Sequence, residues 1–252
     1  MHKYIFSALA LTILIISLHS CGDDDKNEQT EVNINYKLVY GDDPLVMFNN
    51  YTYPGGNDIQ FSRISFYASQ LMASSSDAVE MIKDVEYIDL TNSHVDLSSA
   101  ENGMTVSYDY AESDLDQLTF NIGLDQTTNA TVPTDYPSSS ALSLAGEYWP
   151  GWQSYVFAKI EGMIDLDGDG VLEQPVALHL GSDTANRILN TPDNLRSKDL
   201  NFVIDIENVF QHDGTIYDIS TTPQIHTINE ANAIESINFL ADGLAGAFQV
   251  VN

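Results

Sequence analysis

The chain has 252 residues and a formal charge of −28, set by 37 acidic residues against nine Lys and Arg. That balance excludes nucleic acid as a partner, because no basic patch exists to neutralise phosphates, and it repels anionic lipid while attracting cations, including metal ions. Cys21 is the only cysteine, so intrachain disulfides, thiolate metal sites and cysteine nucleophiles are excluded and the fold must rest on its core.

Residues 1–20 read as a signal peptide. His2 and Lys3 precede an apolar run from Tyr4 to Leu18, followed by His19 and Ser20. A basic start, a short apolar stretch and a small residue before the cleavage point make a secretory signal. The run is shorter than the roughly 20 apolar residues that span a bilayer. Leu18 and Ser20, three and one residues before Cys21, resemble the lipobox of bacterial lipoproteins. That resemblance implies that Cys21 is diacylated, becomes the mature N-terminus and anchors the protein to the membrane by lipid. Residues 21–31 then form a polar, disordered tether. Its run Asp23-Asp24-Asp25 either resembles the acidic export signal of surface-exposed lipoproteins or is a plain solvated linker. The implied location is the cell envelope of a Gram-negative bacterium, on the outer membrane.

From residue 32 the pattern acquires period two. Val32, Ile34, Tyr36 and Leu38 alternate with Asn33, Asn35 and Lys37, which predicts a half-buried strand. Further strands are predicted at 45–49, 59–72, 84–91, 117–123, 154–164, 175–180 and 201–209, from Val, Ile, Phe and Tyr bounded by Gly, Asn, Asp or Pro. The stretch 61–72 also admits a helical reading, but its crowded β-formers favour a strand. A short helix is predicted at 110–118. A better one spans 229–241, where Asn229 can cap, apolar residues recur at helical spacing, and Gly243 follows the end. Many short strands with turn signals predict one all-β domain over 32–252, an antiparallel sandwich or barrel with one or two short helices.

Three constellations carry candidate chemistry. Asp165, Asp167 and Asp169 alternate ahead of Gly170, the first half of a calcium loop, with Glu173 able to contribute. Position twelve is Val176, so this is not an EF-hand; it is either a calcium site or an acidic turn. Trp149 and Trp152, the only tryptophans, flank Pro150-Gly151. They are either core aromatics or a stacking rim for a glycan, peptide or protein. Four histidines remain outside the signal, His94, His179, His212 and His226, with no local metal-binding spacing. His179, in an apolar strand, is the most suggestive. GxSxG, HExxH and phosphate-loop signatures are missing, so no catalysis is expected.

Taken in order, these residues resemble the MbnP-like family of bacterial extracytoplasmic copper-binding proteins, associated with methanobactin and copper handling. The landmarks are Gly41 and Pro44-Leu45 after the first strand, the stretch from Phe61 to Leu71, and Tyr87-Ile88-Asp89-Leu90. Phe120 to Asp125 with Asn129, Trp149 to Gly162, and His179-Leu180-Gly181 complete the series. The resemblance implies copper as the bound metal, held by histidines and a tryptophan oxidised to kynurenine, with a di-haem peroxidase-like partner making that change. It implies His179 as a ligand and either Trp149 or Trp152 as the modified residue. The histidine that copper-binding members carry near the end of the first strand is replaced by Leu38, with His212 or His226 as substitutes. The alternative function is a surface binding module using the Trp149–Trp152 loop, with calcium as a structural ion only.

Overall fold

The computed structural model describes residues 31–251. The signal segment, Cys21 and nearly all of the tether lie outside the described residues. The strands in chain order are β1 (Glu31–Tyr40), β2 (Asp43–Pro44), β3 (Asn50–Thr52), β4 (Asp58–Ser74) and β5 (Val79–Asp89). They continue with β6 (Met104–Asp109), β7 (Gln117–Ile122), β8 (Tyr148–Trp149), β9 (Ser154–Ile164) and β10 (Gln174–Gly181). The last are β11 (Arg187–Asn190), β12 (Asp199–Asp205), β13 (Gln211–His212), β14 (Thr215–Ile216) and β15 (Phe248–Val251). The helices are α1 (Leu97–Asn102), α2 (Gln126–Asn129), α3 (Ile206–Phe210) and α4 (Ala231–Ala247).

Two sheets face each other, and neither closes into a barrel. One runs β15-β12-β1-β2, with β6 also on β1. The other runs β10-β9-β4-β7-β11, with β3 and β5 on β4 and β8 on β9. Pairing between strands is antiparallel except between β1 and β12, which are parallel. The whole second sheet lies between those two strands in sequence, and that supplies the long crossover a parallel pair needs.

The period-two reading of β1 holds: Val32, Ile34, Tyr36 and Leu38 are all fully buried. Their sheet meets the facing one through ring contacts, Tyr36 of β1 to Phe66 at 6.0 Å and Phe202 of β12 to Phe120 at 5.8 Å. Such aromatic pairs stabilise the interface beyond their area alone.

Four predicted elements come out differently. Residues 45–49 are not a strand. Leu45 and Met47 are buried, but their N–H groups donate to Leu38 O and His94 O, and Phe48 turns the chain with φ +67°. Burial without a ladder partner explains why an apolar run resembled a strand. Residues 110–116 are irregular rather than helical, because Asp116 N–H donates to Ser74 O and leads straight into β7. The strand at 201–209 stops at Asp205, whose carboxylate accepts from Glu207 N–H and starts α3. An aspartate at that position favours a helix start over continued strand. The C-terminal helix begins at Ala231 and runs through Gly243 to Ala247. Gly243 does not end it. A Cβ there would lie 2.5 Å from Val209 O, so the glycine lets α4 approach α3 closely.

Segment 123–152 lies over the outer face of the second sheet. Tyr67 and Tyr155 hydroxyls donate to Ala141 O and Leu142 O, and the Lys159 ammonium donates to Gly146 O. This cover explains why β9 is buried on both faces. Among the described residues, no helix is long and apolar enough to cross a membrane.

Candidate metal centre

The site is built at the β8–β9–β10 end of the second sheet. Trp149 closes β8, and Pro150-Gly151 turns the chain so that Trp152 N–H donates to Trp149 O at 3.0 Å. Proline suits the second position of such a turn. The turn folds Trp152 back onto Trp149, with ring centroids 4.8 Å apart and planes within 9°. Gly181 makes room for this stack: a Cβ there would sit 2.8 Å from the Trp152 ring.

His179 faces the same place. Along β10, Val176, Leu178 and Leu180 point into the core, so His179 points outward by strand alternation. Its ring centroid lies 6.1 Å from that of Trp149. On β9, Lys159 is its direct partner and Ala177 is that of Glu161, which makes Glu161 a diagonal neighbour on the same face. His179 Nε2 lies 2.8 Å from Glu161 Oε1. The His179 side chain is only 14% exposed, and its other nitrogen, Nδ1, is buried with no hydrogen-bond partner. A buried polar atom left in this way calls for an explanation, an ion among them.

A fourth ring arrives from a distant segment. The chain before α4 docks on the free edge of β10: Ala177 N–H donates to Pro223 O and Ile225 N–H to Ala177 O, both at 3.0 Å. That docking carries His226 to 6.2 Å from Trp149, on ring centroids. Trp152 Nε1–H donates to His226 O, and His226 Nε2 lies 2.6 Å from Gln224 Oε1.

Charges beside the site are matched. Glu147, almost fully buried, bonds Arg63 at 2.7 Å and Lys159 at 2.9 Å. Arg63 also donates to the Tyr87 hydroxyl. The hydrogen bond from His179 outweighs burial and, with the Arg63 and Lys159 charges nearby, holds the Glu161 carboxyl below the usual range.

The structure thus brings His179, Trp149 and Trp152 together and adds His226. They gather on the outer face of one sheet, not between the sheets. Leu38 is elsewhere, facing the interior, so a histidine there would not join this cluster. His212 is excluded as well. Its Nε2 bonds Phe239 O, and its ring packs on Phe239 at 4.1 Å. His94 is a core residue: Leu38 N–H donates to its Nε2, its Nδ1 bonds Leu90 O, and burial pushes it below the usual imidazole range. Glu161 and Gln224 were not legible as site residues, because only the β9–β10 register and the docking of 223–225 place them. The one signal in the chain was alternation, which puts Lys159 and Glu161 on one face.

The acidic loop forms a second cluster. Asp165, Asp167, Asp169 and Glu173 each offer an oxygen within 4.8 Å of the others. Burial disfavours the Asp165 anion, yet N–H groups from Gly170 and Gly168 hold its carboxyl below the usual range.

Two face-to-face sheets define a β-sandwich, and this one gathers two imidazoles and two stacked indoles on one outer face. A profile of the MbnP family matches residues 29–233, and the chain belongs to that family. Among solved structures it is similar to MbnP from Methylosinus trichosporium, with a TM-score of 0.58 at 12% identity, covering 88% of this chain and 98% of that one. At that identity the likeness is one of fold. No curated protein matches the sequence.

Proposed function

We propose that this MbnP-family protein binds copper without catalysis of its own, at His179, His226 and the Trp149–Trp152 stack. The observation that carries the reading is His179 Nδ1, buried and without a partner, beside two stacked indoles and a second imidazole. The donor set fits the metal: imidazole suits copper, an indole face attracts a cation, and no thiolate competes. Copper, when bound, would supply the redox-active centre; the protein supplies neutral nitrogen donors and partial exclusion of water. Oxidation by a di-haem peroxidase-like partner would fall on Trp149. Its ring lies 6.1 Å from one imidazole and 6.2 Å from the other, on centroids, whereas the Trp152 N–H is engaged by His226 O. The protein would do this at the outer membrane, held there by acylated Cys21. The acidic loop would hold calcium as a structural ion, a reading favoured by its four convergent carboxylates.

Titration with Cu(I) and Cu(II) against a competing chelator tests the copper reading. Wild type should bind, His179→Ala should lose binding, and affinity should fall with acid because imidazole ligates only when neutral. Binding no tighter than that of unfolded chain, with both tryptophans unmodified by intact mass, would sink it. The Trp149–Trp152 loop would then stand as a partner-binding surface.

A further inference from the structure

Both imidazoles at the site are held by the same ring nitrogen. His179 Nε2 faces Glu161 Oε1 at 2.8 Å, and His226 Nε2 faces Gln224 Oε1 at 2.6 Å. A carboxylate can only accept a hydrogen bond, so the proton between His179 and Glu161 sits on Nε2. The Gln224 amide is oriented by its own donation, Nε2–H to Pro175 O at 3.1 Å, which leaves its carbonyl oxygen toward His226. That ring too carries its proton on Nε2. In the neutral form of each ring, the form that can ligate a metal, the lone pair is therefore on Nδ1, and in His179 that atom is buried and unpartnered. We infer that Glu161 and Gln224 are positioning residues that lock the two histidines in the Nε2–H tautomer and make Nδ1 of each the metal-ligating atom. This rests on the copper reading of the site. The physical logic is that an outer acceptor fixes ring orientation and raises the basicity of the opposite nitrogen.

The two anchors differ in kind. Glu161 is set by the β9–β10 ladder and flanked by Arg63, its partner in register on β4, and by Lys159, two residues back on the same face of β9. Gln224 belongs to the docked segment 223–225, and its link to Pro175 ties the His226 ring to β10. Losing Glu161 should disturb one ring, and losing Gln224 should free both a ring and the segment that delivers it.

Long-range proton–nitrogen correlation spectra of metal-free protein, labelled at the histidine ring nitrogens, read the tautomer directly. Wild type should show the Nε2–H form for His179 and His226. Glu161→Ala should give a mixture at His179 alone, and Glu161→Gln, which keeps an acceptor oxygen, should largely restore the wild-type spectrum. Added Cu(I) should shift Nδ1 of both rings while the Nε2–H signals persist, and Glu161→Ala should weaken Cu(I) binding about 10- to 100-fold. An Nδ1–H form in wild type, loss of the Nε2–H signals with Cu(I), or an unchanged tautomer in Glu161→Ala would overturn the inference. Absence of Cu(I) binding by wild type would overturn the ligating role together with the copper reading. The metal-free spectra separate that failure from a wrong tautomer.

Discussion

His94 and His179 show how one residue type takes opposite roles. Both ring nitrogens of His94 are satisfied within the core, one by Leu38 N–H and the other by Leu90 O. It joins β1 to the turn after β5, and its own C=O accepts from Met47 N–H. His94→Ala should destabilise the fold by about 3 kcal/mol, as expected for a buried side chain whose removal orphans polar partners; urea unfolding measures it. The pH dependence has a defined sign. Burial lowers the folded-state pKa of His94, so the unfolded state binds its proton first. Wild-type stability should hold above about pH 6.5, the unperturbed imidazole value, and fall as pH drops below it. Asp125, Glu161, Asp165 and Asp218 are also shifted down, and their loss enters only below about pH 4.5. Between pH 7 and 5 the His94→Ala variant should therefore lose less stability than wild type. Parallel profiles would refute this account of His94.

At the scale of elements, close approaches and turns decide more than propensity does. β4 is long enough to pair with β9 along its first half and with β5 and β7 along its second. The change from β9 to β7 falls between Phe66 and Ala68, and the register shifts inside each pairing, near Phe61 with β9 and between Ser69 and Met72 with β7, as at a bulge, where a strand bends. The loop between β9 and β10 contains two kinds of aspartate. Asp165 is structural, accepting N–H from Gly168 and Gly170 at 2.7 Å each. Asp167 accepts only the next-but-one N–H and is exposed. If the loop holds calcium, adding it should raise the melting temperature by mass action on the folded state. Asp167→Ala should abolish that response with little change in the chelated protein, and Asp165→Ala should lower the melting temperature even with chelator. Identical wild-type melting with calcium and with chelator would leave the loop as a turn alone.

For the whole molecule, charge and attachment are linked. With a charge of −28 the chain as a whole is repelled by anionic lipid, so on the lipoprotein reading its attachment should depend on acyl chains at Cys21. Cys21→Ser should move the protein from the membrane fraction to the soluble fraction, and unchanged fractionation would refute the lipoprotein reading. The architecture sets the site apart from the core. Both inner faces are filled by aromatic and aliphatic side chains, and the imidazole–indole cluster sits outside that core, at the surface, with His226 exposed. Changes at the site should therefore alter binding with less cost to folding than changes at Leu38 or His94.

Family and fold class were legible in the amino-acid order alone, because alternation along β1 and the aromatic runs of β4 and β9 report which side of a sheet each residue faces. Trp149, Trp152 and His179 could be singled out for the same reason: unusual residue types at turn and strand positions stand out locally. What only the tertiary structure decided is which of them meet. The β9–β10 register puts Glu161 beside His179, and the docking of 223–225 on Ala177 brings in His226 from 47 positions further along the chain than His179. Burial likewise turned Leu45 and Met47 into a packed loop and Gly243 into a helix contact. Period and composition report a residue's local face, whereas register, docking and close approach depend on partners far away in sequence that no local pattern encodes.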